Sequence, residues 1–313
     1  LLLLCLIGGQ GYGQVYFDGF YGGPESGNGI SGGATIRVDG EYLTLSYKLN
    51  NGRSVPHFFS IDFQGVLLDS TTFQQSEMVH RQPQNILALN DTLFIGLTSQ
   101  RNLNELSEHR GDFCLIVFNN SGEELSANYY GDTLRKEIPQ DLIRTHDNGF
   151  AMIGQVVNDG GSEDDGQVIL YKTNSSGTEL WSQQYGGSLY DAGTRLIETP
   201  DRGFLLLGWT RSFGAGQRDF YFVKTDSLGN EEWFETYGGS SNEGGSGILG
   251  LSNNQYLLMG GSSPDGVSSV GRLIKVNEQG NVVWQKDHIM QNGNSFFDAV
   301  ELEDSSLVLT GLT

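Results

Sequence analysis

The stretch WSQQYGGSLYDAG, beginning at Trp181, returns in nearly the same words as WFETYGGSSNEGG at Trp233, 52 residues later. Trp284 follows after a further 51 residues, and each of the three stands 27 residues before a strand glycine, Gly208, Gly260 and Gly311. Upstream, GEELSANYYGD carries Ser126 in the Trp place and Tyr130-Gly131 in the Tyr-Gly place, FDGFYGG carries Phe17, and a further unit centres on Asp69. Repeats of this length are units that cannot bury both faces alone and must stack on their neighbours. Five full units and part of a sixth occupy residues 15–313 and leave no room for a second domain.

Within one unit the pattern predicts four strands, over 194–199, 204–211, 219–225 and 231–237, joined by TPDRG, SFGAGQR and DSLGN. Four strands per unit make a propeller blade. The turn chemistry is in register: DSLGN at 226, NSSGT at 174, NEQGN at 277 and NNSGE at 119 each put Asp or Asn three residues before a Gly. The Asx side chain bonds its own turn while the glycine takes a positive φ. The Tyr-Gly-Gly that follows is expected to carry the chain from the outer strand of one blade to the inner strand of the next. Tyr185 and Tyr237 are expected between blades with their hydroxyls in water.

Gly contributes 45 of 313 residues and Pro only 6, which suits a chain of short strands and many turns. The formal net charge of −20, with 18 Lys and Arg scattered among 38 acids, excludes a phosphate-binding stripe and so argues against nucleic acid and anionic membrane surfaces. The opening LLLLCLIGG reads as the apolar part of a secretory signal without its basic start, with cleavage near Gln14, so residues 1–14 are taken as a signal remnant. Cys5 falls inside that segment, and Cys114 stands alone in the buried-strand context DFCLIVF, so the propeller has no internal disulfide to form. The later apolar runs are too short to span a bilayer.

The repeat as a whole, from residue 15 to 313, resembles that of a family of secreted bacterial β-propeller proteins with W-x-x-x-Y-G-G repeats. Its D/N-x-x-G-x-x-x-W segment, at Asp226 to Trp233, Asn174 to Trp181 and Asn277 to Trp284, is similar to the docking motif of quinoprotein dehydrogenases, with one residue fewer between Asp and Gly. LLMGG at 257–261, followed by Trp284, is similar to kelch blades. A quinoprotein likeness implies a quinone stacked on tryptophan, calcium on acidic ligands and a vicinal cysteine pair. The cysteine pair is missing here, and Trp209 is the tryptophan left over for stacking.

No residues are assigned to catalysis. His57, His80, His109, His146 and His288 fall at unrelated repeat positions without zinc spacing, and no phosphate-binding loop motif occurs. The loop NDGGSEDDGQ offers Asp159, Glu163, Asp164 and Asp165 as calcium candidates, against the simpler reading of a solvated loop. Asp191, Glu243 and Asn294 share one repeat column, and Arg195 and Asp298 share another, all on the side where blade crossings emerge. Two readings stand for them: a polar ligand site at the propeller mouth, or latches on the crossing backbone.

These observations lead to an all-β propeller of four-stranded antiparallel blades, about five and a half in this chain and seven, within a range of six to eight, in an intact protein. Residues 15–21 are expected to close the ring as the outer strand of the last blade. The functional expectation is a secreted, monomeric, non-catalytic binding or scaffold module for a glycan or protein ligand, without a cofactor beyond calcium. The alternative is a cofactor-dependent enzyme of quinoprotein-like type.

Overall fold

A computed structural model describes residues 15–16, 30–38, 40–50, 53–62, 67–72, 79–102, 112–131, 135–158, 165–263, 270–289 and 295–312. Every regular element among them is a strand. The described residues divide into two compact units, Leu1–Arg144 with Ser176–Thr178, and Thr145–Ser175 with Glu179–Thr313.

In the first unit, one antiparallel sheet has the order β1 (Val15–Tyr16), β2 (Ile30–Val38), β3 (Glu41–Asn50), β4 (Arg53–Ile61) and β5 (Leu67–Thr72). The next has β6 (Val79–Ala88), β7 (Leu93–Asn102), β8 (Asp112–Asn119) and β9 (Glu124–Tyr130), and β10 (Arg135–Arg144) follows. Leu45, Phe58, Ile86, Phe94, Ile116 and Phe118 form its main core, with Phe58 edge-on to Phe118 at 5.2 Å. Cys114 is fully buried in β8, as its apolar neighbours predict. The closure expectation fails at the residues that can be read: Val15 and Tyr16 pair with Thr35 and Ala34 of β2, beside the first inner strand. Residues 17–21 lie outside the described set.

The second unit contains β11 (Phe150–Asn158), β12 (Gly166–Thr173) and β13 (Glu179–Tyr185), then β14 (Asp191–Glu198), β15 (Phe204–Thr210), β16 (Asp219–Thr225) and β17 (Glu231–Tyr237). It continues with β18 (Asn242–Gly250), β19 (Tyr256–Ser263), β20 (Val270–Val276) and β21 (Val282–His288), and ends on the pair β22 (Ser295–Glu301) and β23 (Leu307–Leu312). Each consecutive strand pair within a sheet is antiparallel. Three of the four strand bounds expected for the unit around Trp209 agree to within a residue. The inner strand starts three residues earlier, at Asp191, because Asp191 pairs with Thr210.

β16, DFYFVKT, is buried at every residue, although alternation would expose half of a one-sided strand. Both its faces are covered, as stacked blades require. Leu205, Leu207, Phe220, Phe222, Ile248, Leu258 and Ile274 come from successive sheets and form one core. The outer strand β17 is the reverse, with Glu231, Glu232, Phe234 and Glu235 exposed and only Tyr237 buried.

Three devices repeat from sheet to sheet. The outer-strand tyrosine donates to a turn carbonyl further along the chain: Tyr185 Oη to Gly229 O at 2.7 Å, Tyr237 Oη to Gly280 O at 2.6 Å and, in the first unit, Tyr130 Oη to Gly177 O at 2.5 Å. The expectation of wet hydroxyls is therefore corrected. Burial pushes the Tyr185 and Tyr237 hydroxyls well above the ordinary phenol range, so both remain donors. Beside that latch, the rings of Trp181 and Trp233 press on the same turn glycines. A Cβ on Gly229 would come within 2.7 Å of Trp181, at a backbone φ of +79° that itself favours glycine. Third, an extra residue bulges from the inner strands β14 and β18, and its hydroxyl reaches the next inner strand: Thr194 Oγ1 to Gly245 O at 2.8 Å, and Ser246 Oγ to Phe296 O at 2.6 Å.

Candidate functional site

The inner strands begin at the sheet ends where the crossings arrive, and most of the buried ionised groups gather there. Asp191 opens β14 fully buried. Its Oδ2 accepts from Gly187 N and Ser212 Oγ, both at 2.7 Å, and its Oδ1 accepts from Thr210 Oγ1, Arg211 N and Ser212 N. Every lone pair of this carboxylate is spent on the crossing loop and the β15–β16 connection. Asp219 does the same at the start of β16, where its Oδ2 accepts from Ala215 N at 2.9 Å and Gly216 N at 3.2 Å. Its other oxygen packs where a Cβ of Gly238, in the next crossing, would sit.

Glu243 occupies the Asp191 column one sheet on, opposite Ser262 as Asp191 is opposite Thr210. Its surroundings differ. Asp219 already packs against the Gly238 crossing, and Glu243 contributes only its backbone, N to Arg218 O at 2.9 Å. The longer side chain turns into the sheet. Oε1 accepts from Ser262 Oγ at 3.1 Å and, more weakly, from Arg272 Nη1 at 3.4 Å. Oε2 is buried and meets no donor. Arg272 gives its better bonds to Asp287, through Nε at 2.8 Å and Nη2 at 2.9 Å. This fork raises the guanidinium pKa and lowers that of the Asp287 carboxyl. Two carboxylates thus share one guanidinium.

Of the other residues picked from the sequence, Arg195 follows the β14 bulge and donates from Nη1 to Thr194 O at 2.9 Å. Asp298 follows the corresponding bulge of β22 and accepts from Ala299 N at 2.8 Å. Asn294 lies outside the described residues, as do Asp159, Glu163 and Asp164, and only Asp165 of the calcium candidates can be seen, half-buried just before β12.

The first unit carries members of the same columns that the sequence reading missed. Glu137 is fully buried, and its carboxylate lies 3.0 Å from where a Cβ of the crossing glycine Gly131 would sit. It was overlooked because six residues separate it from Gly131, whereas five separate Gly186 from Asp191. Asn85 and Asp141 form a second buried pair, Nδ2 to Oδ1 at 2.5 Å, with Leu142 N returning to Asp141 Oδ1 at 2.9 Å. Asn85 follows the β6 bulge as Arg195 follows that of β14, a correspondence legible only once the bulges are placed.

Trp209 is not an open stacking surface. Its ring lies parallel to Tyr190, 5.1 Å away and 11° off plane, and the Arg218 guanidinium sits 4.3 Å from its centroid. The described histidines do not converge either. His57 is buried in β4 beside Phe59, His146 bonds Glu198 at 2.7 Å, and His288 meets Phe296 edge-on. His109 and the side chain of His80 are outside the described set. Among the described residues no three His, Cys, Asp or Glu gather to hold a metal ion, and no helix is long and apolar enough to cross a membrane.

No known family profile matches the chain, and no curated protein matches it. Solved structures do. A Glu-to-Gln variant of the Synechocystis apocarotenoid oxygenase overlaps 90% of this chain and 62% of its own, at 14% identity and a TM-score of 0.50. The cobalt-substituted form of that oxygenase covers the same shares at 13% identity and a TM-score of 0.47. A protein of unknown function from Dyadobacter fermentans covers 86% of this chain and 76% of its own, at 13% identity and a TM-score of 0.49. The chain spans about three fifths of the length of the oxygenase structures, which range from 58% to 62%. Two expectations give way here. A non-catalytic binding or scaffold module without a cofactor beyond calcium is not what the neighbour at a TM-score of 0.50 is: it is an apocarotenoid oxygenase, a protein also described in a cobalt-substituted form. At this identity the likeness establishes the fold, a β-propeller of antiparallel sheets.

Proposed function

We propose that the chain forms the propeller part of a cofactor-dependent enzyme. The observation that carries this reading is the overlap with the apocarotenoid oxygenase variant across 90% of the chain at a TM-score of 0.50. One propeller scaffold serves many chemistries, so the fold supplies the class of framework and the reaction belongs to groups placed on it. The described residues do not fit a resident metal, because none of their histidines or carboxylates cluster in threes. No step is therefore routed through one. What the chain's own residues do is hold two carboxylates and a guanidinium, Glu243, Asp287 and Arg272, at the crossing end of one sheet.

The full-length protein, isolated from its native host, is expected to carry a bound organic cofactor visible in its absorption spectrum. It is also expected to consume oxygen with at least one member of an apocarotenoid panel. Protein that lacks such a chromophore and takes up no oxygen overturns the reading.

We also infer export, from the apolar opening LLLLCLIGG, and kinship with the W-x-x-x-Y-G-G propellers, from the repeat. N-terminal sequencing of the mature protein checks the first: a chain starting near Gln14 supports export, and retention of the opening leucines in the cell overturns it.

A further inference from the structure

We propose that Glu243 is the anchor for a protonated amine, carried by a small ligand bound at the crossing end of the β18–β21 sheet. The inference starts from an imbalance. Glu243 and Asp287 bring two negative charges, Arg272 brings one positive charge, and the guanidinium is committed to Asp287 by two short bonds. Glu243 is left with one bond from a serine hydroxyl, one long contact from Arg272 and an oxygen that accepts nothing. A carboxylate oxygen buried without a donor is costly, and the cost falls when a donor is brought to it.

What is missing is both a hydrogen bond and a positive charge. A neutral hydroxyl supplies the first alone and a quaternary ammonium the second alone, whereas a primary ammonium supplies both. The repeat shows why this oxygen is spare. In the same column Asp191 spends its whole carboxylate on the crossing at Gly187 and on Thr210, Arg211 and Ser212, while the crossing before Glu243 already packs against Asp219. Glu243 also lies one register step inside the rim. The pair above it among the described residues, Asn242 and Ser263, is half-exposed.

The proposal does not depend on the enzyme reading, and its test uses binding alone. The full chain is titrated calorimetrically with n-butylammonium, tetramethylammonium and n-butanol at fixed ionic strength, alongside E243Q and, as a control, E235Q on the exposed face of β17. Wild type and E235Q are expected to bind n-butylammonium about tenfold or more tighter than the other two probes, and E243Q to lose that preference while melting like wild type. Comparing n-butylammonium with a lysine-containing tripeptide separates a free amine from a peptide side chain as the source, and preferential binding of either supports the anchor. The proposal is overturned if the amine binds no tighter than tetramethylammonium, or if E243Q binds it as wild type does. Should E243Q unfold, E243D provides the second variant: its shorter carboxylate is expected to weaken amine binding, and unchanged affinity overturns the proposal.

Discussion

Trp233 shows what one side chain contributes in this repeat. It is half-buried, lies edge-on to Phe222 at 5.6 Å and covers the turn glycine Gly280 at the point where Tyr237 donates to that glycine's carbonyl. Truncating a buried aromatic costs about 3–5 kcal/mol. Partial exposure places Trp233→Ala below that range, at ~2–3 kcal/mol, and a denaturation curve showing less than about 1 kcal/mol refutes the docking role. A second residue makes a pH prediction. Burial acts to raise the Asp201 pKa, but bonds from Thr199, Lys224 and Gly203 outweigh it and bring it down to about 2, and Asp147 is held at about 2 in the same way by Lys172, Thr145 and Gly149. A carboxyl whose folded pKa is depressed stabilises the fold above its unfolded value, and that contribution drains away as pH falls through about 4 towards 2. Both side chains are more than half exposed, so each pair is worth no more than about 1 kcal/mol. Denaturation midpoints measured across that acid window should fall for wild type and fall less steeply for Asp201→Asn. An equal slope in the two proteins removes the assignment.

At the level of strands, the sequence was legible where its chemistry is local. The four strands around Trp209, the Asx turn at Asp226, whose carboxylate receives Leu228 N and Asn230 N, and the buried Cys114 all follow from residues near one another in the chain. What was hidden depends on which residues oppose each other. Asp191 and Glu243 look equivalent by spacing, yet one is saturated and the other keeps a free oxygen, because Asp191 packs against the crossing before it at Gly186 and Gly187, whereas the crossing before Glu243 is already met at Gly238 by Asp219. Tyr185 and Tyr237 were misread for a related reason: the carbonyls that take their hydroxyls lie 44 and 43 residues further on. This division predicts opposite outcomes for two substitutions in one column. Asp191→Ala orphans backbone donors at Gly187, Arg211 and Ser212 and should cost ~2–3 kcal/mol, whereas Glu243→Ala removes one oxygen that bonds nothing and one that bonds only Ser262 and, weakly, Arg272, and should cost ~1 kcal/mol. Chemical denaturation of the two variants decides it, and equal losses would show that both act as latches.

For the whole chain the dominant fact is the net charge of −20, from 38 acidic against 18 basic residues. Lys172, Lys224 and Arg272 are buried and tied to specific carboxylates. Exposed acids such as Glu231, Glu232 and Glu235 stand close together on one outer strand. A chain far from neutrality keeps itself soluble, but like-charge repulsion strains the compact state. That repulsion acts over distances comparable to the Debye length, which shrinks from about 30 Å at 0.01 M salt to about 8 Å at 0.15 M. Exposed ion pairs respond in the opposite direction, losing strength as salt is added, so the sign of the salt effect reports which population is larger. Acids outnumber bases roughly two to one here, so repulsion should win. The thermal midpoint is expected to rise by several degrees between those two salt concentrations and then level off. Sodium chloride serves better than sulfate for this measurement, because sulfate also strengthens apolar burial and would mimic the result. A midpoint that falls over the same interval would mean that the surface acids are already paired, and that the −20 charge places no strain on the fold.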